Sequence, residues 1–126
     1  MTASAFVAVA AGAVLGAWAR WGLTAWLNPL VPNLPAGTLV ANLSGGYLVG
    51  LAVAFFAANT SITHEWRLAS VTGFLGALTT FSTFSAESVQ LMMAGRYAAA
   101  GVHSAAHLLG SLVATGLGIA TYRSLP

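Results

Sequence analysis

The sequence predicts an all-α integral membrane protein with four membrane-spanning helices, and three observations carry that prediction. Of 126 residues, 58% are hydrophobic and only 5% charged, where an ordinary soluble domain has about 25% charged. The apolar residues fall into four stretches of the length, about 20 residues, that a hydrocarbon core requires. Between them lie short runs of Pro, Gly, Asn, Ser and Thr with no room for a second domain.

The first span covers residues 3–27 and is stopped by Asn28-Pro29, with Pro32 and Pro35 close behind, because proline removes a helix donor and restricts the residue before it. No Lys or Arg precedes its apolar run and three spans follow, which argues against a signal peptide. The second span, 36–58, ends in the polar stretch Asn59-Thr60-Ser61-Ile62-Thr63-His64-Glu65. The third, 66–94, meets Gly95-Arg96-Tyr97, and the fourth covers 98–122. Trp18, Trp21, Trp26, Trp66, Tyr97 and Tyr122 fall near these ends, as amphipathic rings do at the membrane interface.

The charged side chains are Arg20, Arg67, Arg96, Arg123, Glu65 and Glu87, and the chain has no Asp, Lys or Cys. That inventory excludes disulfides, thiolate nucleophiles, Cys-based zinc sites, Ser-His-Asp triads and Schiff-base lysines. An enzyme is not expected, since Glu65 and Glu87 fall at different depths and no other paired acid–base groups exist. A net charge of +2 spread over four isolated arginines makes no basic patch, so no nucleic-acid partner is expected.

With four spans, Arg67 and Arg123 share one side of the membrane and Arg20 and Arg96 the other. Orientation follows an excess of positive charge on the cytoplasmic side, and two against two leaves none. A chain with no preference inserts both ways, and copies of opposite orientation can pair about a two-fold axis in the membrane plane. The alternative is one fixed orientation, with Arg20 too deep in the lipid to count. Gly12 and Gly16, and Gly46 and Gly50, are GxxxG pairs that let helix backbones approach closely; packing within one protomer and a dimer seam both fit them.

The third span does not read as a plain helix. Gly73 and Gly76 precede Thr79-Thr80-Phe81-Ser82-Thr83-Phe84-Ser85, a composition that weakens a helix while its hydroxyls can satisfy orphaned backbone groups. A break is expected around Gly76 to Thr79, where it must be buried in protein or line a wet cavity and where freed carbonyls are cation ligands. A kinked continuous helix is the other reading.

Phe81 and Phe84, three apart, share a face, and their positive ring edges can meet an anion. Glu87 is the one carboxylate inside a span and a functional candidate on that ground. Asn42 places an amide donor inside the second span. On the fourth, His103, His107, Ser111 and Thr115 recur every four residues as a polar stripe that must face protein or water. The two His at i, i+4 also suit a metal, but no third ligand stands nearby in sequence.

At these residues the chain resembles the Fluc/CrcB family of fluoride channels. The runs Gly37-Thr-Leu-Val-Ala-Asn42-Leu-Ser-Gly45-Gly-Tyr-Leu-Val-Gly50 and Gly73-Phe-Leu-Gly76-Ala-Leu-Thr79-Thr-Phe81-Ser-Thr-Phe84-Ser-Ala-Glu87 carry the resemblance, which extends over nearly the whole chain. It implies an antiparallel, dual-topology homodimer in a bacterial inner membrane, with two pores along the interface exporting fluoride passively from the cytoplasm. It implies a structural Na+ at the dimer centre, held by the main-chain carbonyls of Gly76 and Thr79. It matches Phe81 and Phe84 to pore-lining phenylalanines, Asn42 to the pore asparagine, Ser82 and Thr83 to the hydroxyls beside them, Arg20 to a vestibule arginine and Glu87 to a carboxylate near the fluoride path. His103 and His107 align with the polar track of the fourth helix, with Ser111, but depart from its usual hydroxyls; imidazoles there predict a modest pH dependence of conduction. The main rival, a small dual-topology multidrug transporter, needs an acidic residue in its first span, where this chain has only Arg20. A scaffold without transport leaves the broken helix and the polar stripe unexplained.

Overall fold

The structure, a computed structural model, describes residues 1–31 and 33–126. Pro32, one of the prolines expected to follow the first span, lies outside the described residues. Helix α1 is Ala3–Leu27, started by Thr2, whose hydroxyl accepts from the Ala5 N–H at 3.3 Å. A 3-10 turn over Asn28–Leu30 follows, and Asn28 Oδ1 accepts from the Gly37 N–H at 2.8 Å, tying the proline-rich loop to the first turn of α2, Ala36–Ala58.

Helix α3 covers residues 64–78 and is irregular: α-helical over His64–Arg67 and Gly76–Leu78, and π-helical over Leu68–Leu75. After two extended residues, α4 runs over Phe81–Met93. Gly95 turns the chain with φ +73, a conformation that suits glycine, and α5 runs over Tyr97–Arg123. Ala3–Leu30, Ala36–Ala58, His64–Met93 and Tyr97–Arg123 are each long and apolar enough to cross a membrane, and no described residue is in a strand.

The third span therefore starts two residues before Trp66 and is discontinuous, with the break at the C-terminal end of the expected stretch. Gly76 is helical, and the extended residues are Thr79 (ψ 153) and Thr80 (φ −151, ψ 118). β-Branched threonine tolerates extended backbone well, and its hydroxyl can close the exposed ends. Thr79 Oγ1 donates to the Leu75 carbonyl at 2.8 Å, finishing α3, and Thr80 Oγ1 accepts from the Thr83 N–H at 3.2 Å, starting α4. The π-helical turns were not legible in the glycine and threonine content.

The glycine pairs serve packing within the chain. A Cβ on Gly12 would collide with the Ala69 carbonyl and one on Gly16 with the Phe74 carbonyl, so both seat α1 against α3. A Cβ on Gly50 would strike the Thr115 carbonyl, one on Gly118 the Tyr47 carbonyl, and one on Gly46 would lie 3.1 Å from the Ser111 carbonyl, so α2 and α5 approach backbone to backbone. The apolar core is small, formed by Ala41, Leu75 and Leu78. Trp18, Trp21, Trp26, Trp66 and Tyr97 are exposed, while Tyr122 Oη accepts from Asn59 Nδ2 at 3.1 Å. Arg67 donates to the Phe56 carbonyl at 3.2 Å, bringing a cation to the C-terminal end of α2, where it complements the helix dipole.

Candidate functional site

The tight approach of α2 to α5, and of α4 to α5, encloses a polar cluster inside an otherwise apolar bundle. Helix α2 contributes Thr38 and Asn42, one turn apart; α4 contributes Phe84, Glu87 and Ser88; α5 contributes His103 and His107. Thr38, Asn42, Ser88 and both histidines are buried.

Asn42 is clamped to the helix break. Its Oδ1 accepts from the Thr80 N–H at 2.7 Å and its Nδ2 donates to the Thr80 carbonyl at 3.0 Å. In a continuous helix the Thr80 N–H would serve the Gly76 carbonyl; Asn42 takes it instead. The second hydrogen of the amide faces Nδ1 of His107 at 3.0 Å. Both donors that the sequence offered to an anion are thus engaged inside the protein.

Glu87 joins three helices. Oε1 accepts from Thr38 Oγ1 at 2.6 Å, and Oε2 lies 3.2 Å from His103 Nε2. The other nitrogen of His103 meets Ser88 Oγ at 2.9 Å, and that hydroxyl reaches Ser104 Oγ at 3.1 Å. The ring of Phe84 stacks on both imidazoles, at 5.8 Å from His103 and 4.8 Å from His107, with planes about 25° apart. Among the described residues, Nε2 of His107 is buried without a hydrogen-bond partner. One ligand atom each of Glu87, His103 and His107 lies within 4.8 Å of the other two, so the third metal-type ligand that the sequence did not reveal is Glu87.

Two cavities flank the cluster. One of about 390 Å³ is lined by Arg20, Thr38, Thr80, Thr83 and Glu87 among others, which brings the arginine of α1 to the same space as the carboxylate of α4. The other, about 300 Å³, is lined by Asn42, Thr79, Thr80, Phe81, Phe84, His107 and Ser111 among others. Ser82 and Thr83 gather on the Thr80 hydroxyl, at 3.3 and 3.0 Å. Phe81 stands edge-on to Phe84 with centroids 5.2 Å apart, yet is 77% exposed on the protomer. Gly76 lies in the last turn of α3 and lines neither cavity, while Thr79 follows that helix and lines the second.

Sequence reasoning passed over Thr38, Thr80, Ser88 and Ser104. Thr38 precedes Asn42 by four residues on α2, a polar i, i+4 pair inside a span, and that periodicity was a usable signal. Ser88 and Ser104 face one another across two helices and had none.

A family model described as "CrcB-like protein, Camphor Resistance (CrcB)" matches residues 7–119. The fluoride-specific ion channel FluC of Cupriavidus necator is 58% identical over 120 residues, 95% of each chain. That of Ralstonia nicotianae is 56% identical over 125 residues, 99% of each chain. That of Chromohalobacter salexigens is 59% identical over 119 residues, covering 94% of this chain and 90% of its own.

Proposed function

Because the chain belongs to the CrcB family, we propose that it conducts fluoride passively across the bacterial inner membrane and so lowers cytoplasmic fluoride. The observation that carries this reading is a line of polar groups, Thr38, Asn42, His103 and His107 buried and Glu87 half-buried, between two cavities in a membrane-spanning bundle. Fluoride is small and holds its water strongly, so a path through lipid must replace that water with hydroxyls, N–H groups and positive ring edges. Several weak sites in series let the ion leave again. Arg20 draws the anion to the mouth of the path, and Phe81, Phe84, Ser82, Thr83 and Ser111 line it.

The working unit is two copies in antiparallel orientation. Supporting this are the even division of the four arginines and the 77% exposure of Phe81 beside the cavity that Asn42, Phe84 and Ser111 line, a wall that a second copy would complete. Gly76 and Thr79 of each copy would hold Na+ through main-chain carbonyls. Diversion of the Thr80 N–H to Asn42 frees the Gly76 carbonyl of its helical donor, and hard oxygen ligands fit an alkali cation. A buried cation there would supply positive charge that offsets part of the cost of an anion in low dielectric.

The test is efflux from proteoliposomes read with a fluoride electrode, with chloride as the control ion. Fluoride is expected to leave rapidly and chloride to be retained, and Phe84→Ile to abolish the fluoride signal. Purified, folded protein that passes no fluoride would overturn the reading.

A further inference from the structure

We propose that the helix break, acting through Asn42, locks His107 in the tautomer protonated at Nε2, making that N–H a dedicated donor to an anion and a poor ligand for a metal. The identity of the anion as fluoride rests on the channel reading above; the tautomer does not.

The chain of constraints starts at the backbone. A peptide N–H can only donate, so the Asn42 atom 2.7 Å from the Thr80 nitrogen is the oxygen; a peptide carbonyl can only accept, so the atom 3.0 Å from the Thr80 oxygen is the amide nitrogen. Thr80 thereby fixes which way the Asn42 amide faces, a choice that side-chain density alone seldom makes. An amide NH2 has hydrogens to give and nothing with which to accept. Nδ1 of His107, 3.0 Å away, must therefore be the acceptor. A neutral imidazole carries one hydrogen, and it is left on Nε2.

That hydrogen has no partner among the described residues. His107 is 3% exposed and its Nε2 meets no hydrogen-bonding atom, although buried donors are nearly always satisfied. Glu87 is the nearby anionic acceptor, but neither of its oxygens, which receive Thr38 and His103, comes within hydrogen-bond distance of this nitrogen. The unspent donor sits beside a Phe84 ring and a second imidazole, and burial of this kind strengthens whatever bond it makes. A small anion passing the cluster supplies the missing acceptor.

The same geometry tells against the metal that two histidines and a carboxylate suggest. A metal on Nε2 would move the ring hydrogen to Nδ1, straight against the Asn42 amide hydrogen. Asn42 cannot turn over to accept it without breaking both bonds to Thr80. Asn42 is thus a positioning residue, and the extended backbone at Thr80 sets the polarity of a ring on another helix.

The test is two-bond 1H–15N correlation on the 15N-histidine-labelled full chain in lipid nanodiscs, with His107 identified by difference against His107→Gln. The Nε2–H tautomer is expected throughout pH 6 to 8, its proton shifting as sodium fluoride is added and staying put with sodium chloride. A proton on Nδ1, or a mixture of tautomers, overturns the lock. The expected tautomer with no response to fluoride, in protein that passes fluoride in liposomes, overturns the donor role and leaves the channel reading standing. Glutamine places an N–H near the Nε2 position and asparagine near Nδ1. His107→Gln should therefore rescue most of the flux that His107→Asn loses, a loss of about ten-fold or more for one bond to a charged group; equal loss in both overturns the proposal. Calorimetry with zinc chloride alone should show no binding, and tight binding to the unaltered protein overturns it.

Discussion

His103 lies with Nε2 3.2 Å from Glu87 Oε2, and its other nitrogen meets a hydroxyl. With one proton, Nε2–H donates to the carboxylate and Nδ1 accepts from Ser88. With two, Nδ1–H donates to Ser88 Oγ, whose own hydrogen turns to Ser104 Oγ at 3.1 Å. No bond is lost in either state. His107, held by an amide that can only donate to it, has no such freedom.

Thr38 is fully buried and donates to Glu87 Oε1 at 2.6 Å. Valine has nearly the same shape and no hydroxyl, so Thr38→Val leaves a carboxylate oxygen short of a partner and should cost about 1.5–3 kcal/mol. Thr38→Ser should recover most of it. Thermal unfolding in detergent measures both, and a Thr38→Val midpoint equal to that of the unaltered protein would show the bond to be idle.

Gly50 and Gly22 should respond oppositely to alanine. A Cβ at Gly50 runs into the Thr115 carbonyl, while one at Gly22 meets nothing within 4 Å among the described residues. Gly50→Ala must push α2 and α5 apart, at roughly the 1–3 kcal/mol that overpacking costs. Gly22→Ala should be neutral or stabilising by up to about 1 kcal/mol, since alanine gives up less backbone freedom in a helix. Equal unfolding midpoints for the two variants would contradict the backbone-to-backbone seam.

How far the sequence could be read follows the range of the interactions. Helix ends were legible because Asn28-Pro29 and Gly95 act on their immediate neighbours, and the discontinuity of the third span because Thr79 and Thr80 stand in the chain beside the glycines. Within the stretch from Gly76 to Thr79, the threonine end and not the glycine is extended, because Gly76 still fits the last helical turn. Asn42, Glu87, His103 and His107 stood out as polar groups in apolar spans. Their partners did not: the Thr80 backbone is 38 residues from Asn42, and Thr38 is 49 from Glu87. Such pairings depend on which helices meet. The glycine pairs, equally good for a seam within or between chains, needed the positions of α3 and α5 to decide.

Orientation turns on Arg20. It stands seven residues before the end of α1, roughly 10 Å of helix, and its side chain lines the cavity that holds Glu87 and Thr38. If a charge there still counts toward insertion, the arginines balance and the chain enters the membrane both ways; if it does not, Arg67 and Arg123 outvote Arg96. Because the chain has no cysteine, single cysteines replacing Asn59 and Ala98 report the two faces separately. Under balance, an impermeant maleimide applied outside intact cells should label about half of each population. Labelling of Ala98→Cys alone, or of Asn59→Cys alone, would mean one fixed orientation and would remove the antiparallel pair. Arg20→Ala makes the test sharper, since it leaves two arginines against one and should convert mixed labelling to one-sided labelling.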